Sequence, residues 1–296
     1  MNMIIGAVVV LASVLGGFAA LGGHVELLWQ PFEILIIAGS AFGAFIIGNP
    51  RRVVKDTGKA LMGLAKNSKY SREDYVELLS LQFALFKQAK AKGMMSLERD
   101  IDDPFSSELF NNFPGVLRNE RGVLFITDYL RLISLGSERA HELEALMNEE
   151  METMQREQSQ APKAMHRVAE SLPALGIVAA VLGVIKAMGA INQPPEILGG
   201  LIAGALVGTF MGVMLSYGFA SPVAVVIKTQ REEDLNYFTC IKAGLLAYLN
   251  GYAPQICVEY ARKVLFTEIR PSFYEVEKAT MLAVAVNKKA DEQAAA

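Results

Sequence analysis

Gly200, Gly204, Gly208 and Gly212 recur every four residues in one apolar run, ILGGLIAGALVGTFMGVMLSYGFASPVAVVIK over 197–228, and Ser216 and Ala220 continue the series. Residues four apart lie on nearly the same helix face, so the run predicts a ridge almost free of side chains. In lipid such ridges let helices approach closely, because packing rather than the hydrophobic effect drives association there. Thr209 stands beside the ridge as the hydroxyl nearest the middle of this run. Something polar can pass or bind beside it. A proton relay across a bilayer, however, uses ionisable groups within the bilayer. None of the four long apolar runs has an Asp or Glu in its middle; Glu33 and Glu196 fall at outer ends. A chain of this kind either moves no ions or takes its carboxylate from a partner helix, and the glycine ridge is a surface against which such a helix could dock.

Other chemistry is not in evidence. There is no GxxxxGK[ST] loop, no HExxH and no GxSxG, and His24, His141 and His166 sit on separate segments. Cys240 and Cys257 are far apart and have no histidine nearby, so they read as reduced thiols and not as a metal or disulfide framework. No enzyme activity, metal or cofactor is expected. A net charge of −3 without a long basic run gives no argument for nucleic acid.

The elements that position these residues follow from hydropathy. The chain is 52% hydrophobic and 20% charged, an apolar excess that points to a membrane protein. Four spans are predicted, at about 1–21, 33–49, 172–191 and 197–227. The first lacks the charged start of a signal peptide and reads as a membrane helix. Trp29 is placed as an interfacial anchor in the loop after it. Arg51, Arg52, Lys55 and Lys59 are the first basic residues and follow the second span directly. By the positive-inside rule they face the cytoplasm, which puts both termini inside. The expected fold is all-α, an integral membrane protein with four transmembrane helices in two hairpins (1–49 and 171–227). A large helical cytoplasmic insertion (50–170) separates the hairpins, and a helical C-terminal segment (228–296) ends in a disordered tail from Asn287. Within the insertion, Ser71 opens a capped helix with Glu73 and Asp74 in its first turn. Arg121 to Leu135 and Glu138 to Gln158 read as two more helices.

Three further features invite both a bland and a functional reading. Lys186, about four residues short of the outer end of the third span, either snorkels to the interface or places a charge at the mouth of a pathway. Pro173 and Pro222 fall near the cytoplasmic ends of their spans, at an expected matching depth, as tolerated kinks or as paired hinges. Lys87, Lys90, Lys92, Glu98, Arg99 and Asp100 gather around Gly93, as a solvated face or a docking site.

These residues match a pattern. ALVGTFMGVM at 205–214 with Pro222 beyond it resembles the signature of the MotA family of flagellar motor stators, relatives of the ExbB and TolQ energisers. SLPALGIVAAVLGV, GMMSLERDIDDP, LNGYAP and RPSF extend the resemblance over nearly the whole chain. The resemblance implies a ring, held to be a pentamer, of chains around the single-span partner MotB. MotB supplies the membrane Asp and grips peptidoglycan, and ion flow turns the ring against FliG of the rotor. It implies that Thr209 lines the ion path and that Ala180 faces the same region. Sodium-driven relatives tend to have Thr at the position of Ala180, so protons are the expected coupling ion. It implies coupling roles for Pro173 and Pro222, and a rotor contact for Glu98 and for Lys90, which stands where the family often has Arg. Membrane lipid is a further expected partner, and the bacterial inner membrane the expected location. The competing readings are an ExbB/TolQ-like energiser of outer-membrane transport, which usually has three spans, and a scaffold without ion flow.

Overall fold

The computed structural model describes residues 2–64, 69–136 and 139–282. Every regular element among them is helical. The expected disordered tail from Asn287, and Glu138, lie outside the described residues. Among the described residues four helices are long and apolar enough to cross a membrane, so the chain is an all-α, multi-pass membrane protein. It divides into two compact units, Met1–Asn67 with Gln158–Thr229, and Ser68–Glu157 with Gln230–Ala296.

The first unit is built on α1 (Asn2–Ala20), α2 (Pro31–Ile47), α3 (Arg51–Gly63), α10 (Gln160–Gly189) and α11 (Pro195–Leu215). Its apolar helices expose large side chains: Ile4, Val8 and Val9 of α1, Ile177 and Ile185 of α10, and Leu206 of α11. In water that surface would be unfavourable; in lipid it is the solvated face. Ile37 and Ala41 of α2 are buried against Ala169, Leu172 and Ala179 of α10 and Met211 of α11. The loop before α2 bears Trp29, which is exposed as an interfacial anchor requires.

Both helices of the second hairpin run past the predicted spans. α10 begins at Gln160, not near Leu172, because Pro162 sits in its first turn, where a missing N–H is harmless, and Pro173 does not stop it. After α11 comes a π-helical turn, Ser216–Ala220, and then α12, Ser221–Leu249. The Ser221 N–H bonds the Ser216 carbonyl, closing this wider turn.

The second unit centres on α4 (Arg72–Lys92), with eleven buried residues. Its start is the capping box foreshadowed by the sequence: the Asp74 N–H donates to Ser71 Oγ at 3.3 Å, and the Ser71 N–H donates to Asp74 Oδ2 at 2.8 Å. Short helices α5 (Glu98–Asp102), α6 (Glu108–Asn111) and α7 (Pro114–Leu117) lead to α8 (Glu120–Ser134) and α9 (Ala140–Gln158). α12 and α13 (Pro254–Lys263) close the core. Tyr70 stacks on Tyr237 with ring centroids 4.3 Å apart, and Phe86 on Tyr248 at 5.0 Å. Cys240 and Cys257 are buried free thiols. Burial raises both, Cys257 to about 11, so neither is a thiolate near neutrality. Gly251, at φ +80°, turns the chain between α12 and α13. Arg262 then pins the following segment, bonding Glu259 through two nitrogens and the Pro271 carbonyl at 2.9 Å.

Candidate functional site

The glycine ridge is occupied from within the chain. A Cβ on Gly212 would come 2.6 Å from the Leu172 carbonyl oxygen and 2.8 Å from Gly176 Cα. One on Gly208 would meet Ala179 Cβ at 3.2 Å and Ala180 N at 3.3 Å, and one on Gly183 would meet Ala205 Cβ at 2.7 Å. α10 and α11 therefore touch backbone to backbone, through glycines contributed by both helices. The ridge was expected to offer a wall to a partner helix; its Gly208–Gly212 half is closed by α10. Gly204 faces the Gln30 side chain at 3.5 Å, and Gly200 has open space around it.

This register brings Ala180 and Thr209 to one level, since the Ala180 backbone lies against the residue before Thr209. Both are half-buried. Thr209 shares a stripe of α11 with Ile202, Leu206 and Val213, spaced at i, i+4, i+7 and i+11, and all three are exposed, Leu206 at 68%. Among the described residues no acid stands mid-span on any of the four membrane helices. The site is a hydroxyl on an uncovered apolar face, without a carboxylate. Lys186 is exposed about one turn beyond Gly183, in the last turn of α10, a position suited to snorkelling.

The two prolines are not at matching depth. Ser216 lies opposite Ala169, its hydroxyl donating to the Ala169 carbonyl at 2.7 Å. Pro173 is four residues from Ala169 in one direction and Pro222 six residues from Ser216 in the other, a separation of about 15 Å along the helices. What links them is a residue that the sequence showed only as a ridge member. Pro173 has no N–H, so the carbonyl four residues before it, that of Ala169, loses its helical partner. Ser216 supplies one, and the same residue begins the wide turn before Pro222. The signal was present in the sequence as a lone hydroxyl in a glycine series; its partner depended on a register that no single-helix pattern contains. Ser216→Ala is expected to leave that buried acceptor unsatisfied and destabilise the hairpin by about 1–3 kcal/mol. Thermal unfolding of the purified protein checks this. Adding Pro173→Ala should recover most of the loss, because alanine restores the missing N–H; equal losses in both backgrounds would overturn the assignment.

Lys90 and Glu98 stand on either side of one turn in the second unit. Lys90 is in the last turn of α4 and Glu98 opens α5, with Gly93 (φ +82°) and a 3-10 turn over Met94–Leu97 between them. The turn is braced from below: Gln88 Nε2 donates to the Ser96 carbonyl at 2.9 Å, and Ser107 Oγ donates to Asp100 Oδ1 at 2.6 Å. Lys90 and Glu98 themselves are exposed. Both charges therefore face outward on either side of a hydrogen-bonded turn.

Comparison with known proteins decides the family. Residues 4–93 match the model for the motility protein A N-terminal region, and residues 124–239 that for the MotA/TolQ/ExbB proton channel family. Motility protein A of Salmonella typhimurium is 45% identical over 94% of each chain, and that of Escherichia coli 46% over the same shares. The chain belongs to the motility protein A family. It is therefore a stator subunit of the flagellar motor within the proton channel family. The MotA fold is matched in solved structures as well. In the MotAB complex of C. jejuni, a chain aligns with a TM-score of 0.73 at 19% identity, covering 92% of this chain and 98% of that one. In the stator complex of Bacillus subtilis the TM-score is 0.67 at 23% identity, over 86% and 92%.

Proposed function

We propose that the chain forms the moving ring of a proton-driven stator, packed around a MotB-type partner whose membrane Asp completes the ion path. The observation that supports this reading is the incomplete site: Thr209 on the exposed stripe Ile202–Leu206–Val213, with no acid mid-span on any described membrane helix. A carboxylate-bearing helix laid on that stripe would cover the apolar face and meet the hydroxyl. Ala180 at the same level offers no oxygen ligand. A sodium ion needs several oxygens whereas a proton needs one acceptor, so the pair favours protons. A ring of five such chains in the inner membrane, both termini cytoplasmic, would present Lys90 and Glu98 to FliG on the rotor, while the partner grips peptidoglycan.

The energetics suit turning of whole chains. One charge crossing 100 mV supplies about 2.3 kcal/mol. That is enough to shift an exposed ion pair, worth up to about 1 kcal/mol. Separating two helices in backbone contact would take more, so α10 and α11 travel as one body, and the Gly208–Gly212 contact is a fixed joint, not a sliding surface. Cells lacking the chain are expected to build filaments and fail to swim; normal swimming would sink the stator reading. With the chain as sole stator, a protonophore should stop motility within seconds at any external sodium level. Motility that follows sodium and survives the protonophore would reverse the choice of ion.

A further inference from the structure

A cavity of about 560 Å³ with an almost wholly apolar wall lies in the first unit, where α3 follows the second span. α3 contributes Val54, Thr57, Gly58 and Leu61, and α2 contributes Phe42 and Phe45, while α10 and the π turn close the other side. Its size falls within the range of about 300–1,000 Å³ usual for ligand sites. Only Gly48, Asn49 and Pro50 separate α2 from α3, so the cavity begins at the level where the bilayer's interfacial region meets its core. It runs from there along α2 as far as Ala38, about 10 Å from Phe45. An apolar groove that follows α2 for about 10 Å can take part of an acyl chain.

The charges beside the groove give the occupant a head. On α3, Arg51, Lys55 and Lys59 form an exposed i, i+4, i+8 stripe directly beside the groove-lining face. Inside, the Thr57 hydroxyl is buried, at 2% exposure, and has no hydrogen-bond partner among the described residues. A phosphate at the mouth of the groove would meet the basic stripe. We propose that the groove holds one acyl chain of an anionic phospholipid, with its phosphate against Arg51, Lys55 and Lys59. The basic stripe complements a phosphate, and the test below separates this occupant from a second copy of the chain.

The test uses the full chain purified with its membrane partner in neutral detergent. Dioleoyl phosphatidylglycerol should raise the unfolding midpoint, and dioleoyl phosphatidylcholine should raise it less. Lys55→Gln with Lys59→Gln should weaken phosphatidylglycerol binding about thirtyfold, the effect of removing two charges near the surface. Gly58→Leu fills the groove from a position where an added Cβ meets nothing within 4 Å, and leucine favours the helix over glycine. That variant should lose co-purifying phospholipid, measured as phosphate per chain, while the mass of the complex stays the same. Equal responses to the two lipids would overturn the proposal. So would a Gly58→Leu complex of altered mass with unchanged phospholipid, which would assign the groove to a second copy.

Discussion

Gly212→Val is expected to abolish swimming and to reduce the amount of chain assembled in the membrane. The added atoms would fall on the Leu172 carbonyl at 2.6 Å and on Gly176 Cα at 2.8 Å. Both neighbours are backbone and cannot rotate away, so the helix pair must separate. Overpacking of a tight contact costs about 1–3 kcal/mol when side chains can give, and here the loss should lie at the upper end or beyond. Gly200→Ala is the matched control, since a Cβ there meets nothing within 4 Å and alanine is the better helix former by about 1 kcal/mol. It should swim like the parent. Swimming assays with membrane immunoblots separate the cases. If both substitutions impair motility equally while both proteins accumulate, the ridge acts as one continuous surface and the fixed-joint account fails.

The second large effect is expected at Glu98. Glu98→Lys should remove torque under load and leave the amount of protein in the membrane unchanged. Glu98 is exposed, so reversal should alter folding stability by no more than about 0.5 kcal/mol. Placing like charges together across an interface, by contrast, costs several kcal/mol. The braced turn from Gln88 to Ser107 keeps the loop in place in the variant, so the lost charge complement alone is read. A compensating reversal on the rotor protein should restore part of the speed. Unchanged speed of the Glu98→Lys strain under load would take this residue out of the rotor contact.

The sequence disclosed those parts of the fold that follow from local pattern. Four apolar runs and the Ser71 cap each depend on residues close to one another in the chain. The glycine series was equally visible, yet its partner was not: Gly176 and Gly183 are scattered in α10 and acquire meaning only when set against Gly212 and Ala205. The depth of the prolines failed for the same reason. Each was measured from the end of its own apolar run, and α10 and the helix after Ser216 both continue well beyond those ends. Thr209 could be picked out because a hydroxyl amid aliphatic residues is conspicuous, whereas Ser216 was hidden by a small-residue series that it also fits. The groove beside α3 was invisible in the chain because α10 and the π turn, which close it, lie more than a hundred residues beyond α3.

The π turn at Ser216–Ala220 has a consequence for how the fourth span is counted. Such a turn is a one-residue insertion that the hydrogen-bond ladder has absorbed. Residues on its two sides follow different phases: relative to an uninterrupted α-helix, Ala224 and Ile227 are rotated by about 100° and displaced by about 1.5 Å with respect to Gly212. The small-residue series of the membrane half therefore cannot be extrapolated to the residues beyond it. The helix works as a shaft with a keyed coupling, and Ser216, held by the carbonyl that Pro173 releases, is the key.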